Sequence, residues 1–150
     1  MNAPHRTPPH VDDCRVVELR TVYDHRGSIS FCESGVDIEF PVKRVYWTYD
    51  VPSRASRAGH AHRQLQQLYV AISGSFQVHV DDGKHQRVIT LSHPNEGLLI
   101  SPGLWRELHG FSSNACLLVL ASELFDESDY IRDRGDFQRW VAEGRPPLAR

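Results

Sequence analysis

Two histidines one residue apart, His60 and His62, are the side chains whose type and spacing point most directly to chemistry. In a strand, residues two apart face the same way, so this pair would project side by side. Neutral imidazole titrates near physiological pH and can take or give a proton, which suits acid–base catalysis. Gln67 follows five residues after His62, and Glu107 supplies a carboxylate farther on. The same residue types permit a second reading, a metal held by His60, His62 and Glu107 in a two-histidine, one-carboxylate set. A third reading is a hydrogen-bonded core pair with no chemistry. Two imidazoles on one face beside an amide and a carboxylate weigh against it.

Such a pair needs a frame of strands, and the sequence supplies one. Short strand-like runs cover Val16–Leu19, Ser28–Glu33, Lys43–Asp50, Gln67–Ile72, Ser75–Asp81, Gln86–Leu91, Gly97–Ser101, Trp105–His109 and Ala115–Ala121. Phe76-Gln77-Val78-His79-Val80 alternates apolar and polar, as a half-buried antiparallel strand does. Asp82-Gly83 then makes a hairpin turn, because that pair tolerates positive φ. Many short strands without interleaved helices predict an all-β barrel or sandwich of jelly-roll type. Only the end reads as helix, with Asp136 as cap and Phe137, Trp140 and Val141 at helical spacing. Residues 1–11 read as a flexible Pro- and His-containing tail and residues 12–150 as a single domain, with no repeat and no break in composition.

The bulk properties narrow the function classes. At 150 residues the chain can bury one core without disulfide or metal staples. Its net charge of −2, with no cluster of Lys or Arg, gives no footprint for nucleic acid. Cys14, Cys32 and Cys116 are odd in number and show no CxxC pairing, so the expectation is free thiols in a reducing cytoplasm. The opening MNAPHRTPPH lacks the apolar stretch of a signal peptide. The longest apolar run, Ala115–Ala121, is about a third of a membrane span. A soluble, cytoplasmic protein is therefore expected.

The spacing of His60, His62, Gln67 and Gly74 closely resembles the first cupin motif, in which a Glu usually stands at the Gln67 position. The second motif is matched by Pro102-Gly103-Leu104-Trp105-Arg106-Glu107, with Glu107 where a third histidine would be. Further landmarks resemble one group within that fold. They are Arg26-Gly27-Ser28, the run Lys43 to Asp50, Arg57 three residues before His60, Leu65-x-Gln67 and Asp81-Asp82-Gly83. Trp105, Glu107 and His109, Phe111-Ser112-Ser113, Leu120-Ala121-Ser122 and the stretch Asp126 to Arg132 follow in order. Over about residues 24–141 the chain is similar to the sugar 3,4-ketoisomerases, RmlC-like cupins of the WxcM-like group.

That resemblance implies a cupin jelly roll, a dTDP-4-keto-6-deoxyhexose substrate, a 3-keto product and a mechanism without metal or cofactor. It also implies a homodimer in which N-terminal strands can be exchanged. In its terms His62 is the carbon base and His60 orients it or relays protons, an order that can be reversed. Tyr46 is the hydroxyl that handles protons on oxygen. Arg44, Arg57 and Arg26 are the candidates for the diphosphate, since guanidinium forks bind phosphate oxygens in pairs. Arg44 shares parity with Tyr46 and ranks with Arg57 ahead of Arg26. Gln67, Trp105, Glu107 and His109 complete the expected substrate pocket, Trp105 by stacking on the base or lining the sugar site. Arg106 stands where the group commonly has His. The remaining histidines (His5, His10, His25, His79, His85 and His93) read as surface residues, and Glu123 to Asp129 as a solvated connection. The rivals are a metal-dependent cupin (dioxygenase or sugar isomerase), a non-catalytic small-molecule-binding cupin and a 3,5-epimerase.

Overall fold

The computed structural model describes residues 8–149. Twelve strands run in order: β1 Arg15–Glu18, β2 Arg20–Asp24, β3 Gly27–Phe31, β4 Arg44–Thr48, β5 Arg57–His62, β6 Gln67–Ser73, β7 Phe76–Asp81, β8 Gln86–Leu91, β9 Glu96–Ile100, β10 Trp105–His109, β11 Cys116–Ala121 and β12 Tyr130–Ile131. One helix, α1 Arg134–Ala142, follows them. Two five-stranded antiparallel sheets, ordered β1-β9-β6-β11-β4 and β12-β5-β10-β7-β8, form the expected jelly roll, and β2 and β3 pair only with each other in a separate ribbon.

The alternation of the strands divides the apolar residues among three cores. Between the sheets lie Tyr69, Ala71, Phe76, Val78, Val80, Leu91, Leu98, Ile100, Leu108, Leu117 and Val119. The opposite side chains of β6, Leu68 and Val70, pack outside the sandwich under Leu19, Ile38 and Phe40. Helix α1 covers the outer face of the second sheet, setting Phe137 and Trp140 against Ala61, Trp105 and Ile131. Gly74 allows a close turn, for a Cβ there would lie 2.7 Å from the Ala115 Cα.

Three expectations shift in detail. Asp133, not Asp136, caps α1, accepting the Asp136 N–H at 2.9 Å, so the helix begins earlier than its apolar spacing indicates. The hairpin loop is four residues long, Asp82 to His85, with Gly83 at φ +98°. Of the tail, residues 1–7 lie outside the described residues. Val11, though, is buried in the main core, and its N–H donates to Asp82 Oδ2 at 3.2 Å. Its short turn Val11–Asp13 is anchored, because one apolar side chain reaching the core outweighs the polar composition around it.

Candidate active site

Strand register decides which side chains meet between the sheets, because residues directly opposite in an antiparallel pair share a face. Tyr46 is opposite Val119, which is opposite Tyr69, and Ala121 is opposite Gln67, so Tyr46, Tyr69 and Gln67 all face inward. On the other sheet His60 is opposite Arg106, Arg57 opposite Leu108, and His62 opposite Tyr130. The two histidine rings meet edge to face with centroids 4.8 Å apart. Tyr130 closes over both, 5.1 Å from His60 and 4.2 Å from His62.

A break in the β5–β10 ladder sets the aim of His60. The register shifts between Arg106 and Glu107, leaving Gly59 bulged, with Ala58 at φ +64° and Gly59 at +73°. A non-glycine residue in the left-handed region is strained, and such strain and bulges concentrate beside functional sites. A cavity of about 510 Å³ lined by Arg44, Tyr46, Arg57, His60 and Tyr130 opens here. His62 borders a second of about 380 Å³, with Arg44 and Tyr130 common to both.

A buried polar chain underlies the site. Arg106 is wholly buried and donates to Gln67 Oε1 at 2.7 Å and to the Leu104 carbonyl at 3.0 Å. A guanidinium can only donate, so it fixes which way the Gln67 amide points. The Gln67 Nε2 then donates to the Tyr46 hydroxyl oxygen at 2.9 Å, leaving the Tyr46 proton to be donated elsewhere. Burial pushes the Tyr46 hydroxyl upward, only partly offset by Arg106, Gln67 and Arg44.

His62 Nδ1 lies 3.1 Å from Asp129 Oδ2. That carboxylate also accepts the N–H groups of Gln64 and Leu65. Burial alone would raise Asp129, but these hydrogen bonds outweigh it and hold the carboxyl below its usual range. An ionised Asp129 accepts the proton on Nδ1, so His62 Nε2 carries the lone pair inside the barrel. Burial lowers His62 to about 4, against the pull of Asp129, with Arg106 adding to the depression. His60 falls to about 2, first through burial and then through Arg106. The Ala58 backbone favours its charged form slightly, although neither ring nitrogen makes a hydrogen bond of ordinary geometry. Both imidazoles are therefore neutral at physiological pH, and each is able to accept a proton.

Comparisons with known proteins identify the family. Residues 12–142 match the family model FdtA: WxcM-like, C-terminal. The chain belongs to this WxcM-like family. It is 40% identical over 129 residues to the TDP-4-oxo-6-deoxy-alpha-D-glucose-3,4-oxoisomerase of Aneurinibacillus thermoaerophilus, covering 86% of this chain and 93% of that protein. A 3,4-ketoisomerase from Helicobacter canadensis superimposes with a TM-score of 0.85 at 38% identity, covering 87% of this chain and 98% of that one. The sugar 3,4-ketoisomerase QdtA from Thermoanaerobacterium thermosaccharolyticum, solved with TDP, does so at 0.86 and 31%, covering 89% and 98%.

Within this WxcM-like fold the expected residues divide. Tyr46, Arg44, Arg57, His60 and His62 surround the two cavities, and Gln67 lies behind Tyr46, fully buried with both ends of its amide engaged. Trp105, Glu107 and His109 are not among them, because all three face out of the sandwich. The Trp105 indole packs on Phe137 and donates to Glu107 Oε1 at 2.9 Å, while Glu107 Oε2 pairs with His109 at 3.0 Å. β10 alternates with Arg106 opposite His60 and Leu108 in the inner core, so Glu107 and His109 follow Trp105 to the outer face. Arg26 lies on the exposed β2–β3 ribbon, hydrogen-bonded to Asp24. With Glu107 turned away and a buried guanidinium beside the histidines, the donor set does not suit a cation.

Asp129, Tyr130 and Arg132 complete the site and were not assigned roles from sequence. The acidic run Glu123 to Asp129 reads as a solvated connection, whereas the Asp129 side chain is mostly buried against His62, and only its place among the family landmarks gives a signal. Arg132 lines the His60 cavity and stacks on Tyr130, with its guanidinium paired to Glu127.

Proposed function

We propose that this enzyme is a nucleotide-sugar 3,4-ketoisomerase that converts dTDP-4-keto-6-deoxyglucose to a dTDP-3-keto-6-deoxyhexose. The observation that carries the reading is a neutral His62 whose Nδ1 is engaged by Asp129 and whose Nε2 is buried within reach of the Arg106 charge. His62 Nε2 removes the proton from C3, and the electron pair moves through C3–C4 onto the ketone oxygen. Tyr46 donates its proton there, giving the enediol. Protonated His62 then returns a proton to C4 while the Tyr46 phenolate takes the proton of the C3 hydroxyl, leaving the ketone at C3 and both groups as they began. The fixed charge of Arg106, relayed through Gln67, favours negative charge on Tyr46 and on the enediolate without reorganisation during the reaction. His60 keeps the His62 ring in place and serves as its relay. Arg44 and Arg57 are assigned to the diphosphate, since among the described residues neither is in an ion pair.

The family resemblance further supports a homodimer, possible because the β2–β3 ribbon exposes Val22, Tyr23 and Ile29 and pairs with no other strand. Exchange of that ribbon would carry Arg26 to the partner subunit. The cytoplasm is the proposed location, since among the described residues the cysteines are free and no helix is long and apolar enough to cross a membrane.

Proton NMR of the protein with dTDP-4-keto-6-deoxyglucose in D2O, with and without chelator, tests the activity. A 3-keto sugar carrying deuterium at C4, formed equally in both samples, is the expected result. A metal-requiring turnover, or deuterium at C5 with the ketone still at C4, would replace this reading with a metal cupin or a 3,5-epimerase.

A further inference from the structure

A cavity of about 700 Å³ shares no lining residue with the two histidine cavities. At its edge His10, from the N-terminal segment, meets the β7–β8 loop. His85 Nδ1 lies 3.2 Å from Asp82 Oδ2 and His10 Nε2 lies 3.8 Å from the same oxygen. The two imidazole rings are 4.6 Å apart, and one donor atom from each of the three residues falls within 4.8 Å of the other two. Among the described residues no other group of three His, Cys, Asp or Glu converges this way.

We propose that His10, Asp82 and His85 form a binding site for one zinc ion, which staples the N-terminal segment to the β7–β8 hairpin.

The geometry fits that ion. Zinc bonds of about 2.0–2.2 Å at tetrahedral angles separate neighbouring donors by roughly 3.3–3.5 Å, and the two gaps to Asp82, 3.2 and 3.8 Å, bracket this range. Two imidazoles and one carboxylate are a common zinc set, with water completing the coordination from the open cavity. Asp82 is preorganised. Its side chain is 4% exposed, its Oδ1 accepts the N–H groups of Lys84 and His85, and its Oδ2 accepts that of Val11. Burial opposes ionisation of Asp82, but these backbone donors prevail and lower it.

The ion would take the lone pairs of His10 Nε2 and His85 Nδ1, each neutral imidazole keeping its one proton on the other ring nitrogen. The proton of His10 then sits on Nδ1, 3.4 Å from Asp12 Oδ2, which gives the carboxylate–histidine–metal relation that orients such ligands. The Asp12 N–H, at present 3.1 Å from that nitrogen, is exposed and turns to water. No residue of this cluster belongs to the proposed catalytic machinery, so metal binding and turnover are separable.

The test uses tag-free, chelator-stripped protein titrated with zinc chloride by calorimetry, alongside thermal unfolding and ketoisomerase turnover. One zinc per chain and a higher Tm are expected. His85→Ala and His10→Ala should each weaken zinc binding by more than about tenfold and abolish the Tm gain, with turnover unchanged. Since His85 is exposed, its variant is expected to fold. Absence of saturable zinc binding, or undiminished affinity in His85→Ala, would overturn the site. Neither result bears on the ketoisomerase reading, which rests on turnover.

Discussion

The function of His62 depends on which ring nitrogen holds its proton, and Asp129 controls that. An amide at position 129 can offer its N–H to His62 Nδ1 and drive the proton onto Nε2, the atom that must be bare. Asp129→Asn is therefore expected to fold normally by circular dichroism and to lose about 10²- to 10⁴-fold in kcat, the scale seen when a histidine's orienting carboxylate is made an amide. The pH profile separates this from simple loss of packing. With His62 at about 4, kcat/KM for the native enzyme should be level through neutrality and fall on the acid side with a midpoint near that value. Asp129 favours the protonated ring, so Asp129→Asn should move the acid limb lower. An unmoved limb would remove Asp129 from the mechanism. His62→Asn, which deletes the base, should fold and leave essentially no turnover; near-normal activity there would shift the base to His60.

Among the elements, β5 carries most of the positional information, and its bulge is the part least legible in sequence. Apolar runs identified eight of the ten jelly-roll strands, all but β5 and β12, and the two-residue spacing put His60 and His62 on one face. The orientation of β10 was another matter. Trp105 and Leu108 are both apolar and both buried, one under α1 and one between the sheets, so hydrophobicity alone cannot tell inside from outside. An inward arginine, Arg106, contradicts the usual pattern as well. Asp129 was hidden by an acidic run, and Val11 by its polar neighbours. The bulge itself makes a testable claim. A Cβ on Gly59 would meet nothing within 4 Å, so Gly59→Ala pays only the left-handed backbone penalty, about 1–2 kcal/mol by denaturant unfolding. Ala58→Gly relieves the same penalty at φ +64°, offset by about 0.4–1 kcal/mol of added unfolded-state entropy. It should be neutral to slightly stabilising, and a marked loss of stability would mean that the Ala58 methyl does more than tolerate its position.

For the molecule as a whole, keeping two imidazoles neutral in a dry interior makes folding sensitive to mild acid. An unfolded histidine takes up its proton near pH 6.5, whereas His62 does so at about 4 and His60 at about 2. Above 6.5 neither state binds these protons and stability is unaffected. Below it the unfolded chain gains protons that the native chain refuses, so unfolding becomes easier as pH falls, by up to about 1.4 kcal/mol per pH unit for each histidine. For His62 the loss ends near pH 4. The carboxyls held below their usual range, Asp129 and Asp82 among them, act in a lower window: their stabilisation is complete above the unfolded carboxyl value of about 3.9 and is lost beneath it. Between pH 6 and 4.5 the histidines thus dominate. Urea unfolding across that interval should show a steep fall in stability for the native protein and a shallower one for His60→Gln, whose amide carries no proton to exclude. Equal slopes in the two proteins would mean that His60 is protonated in the native state at mild acid pH, and the neutral buried pair on which the proposed chemistry rests would have to be abandoned.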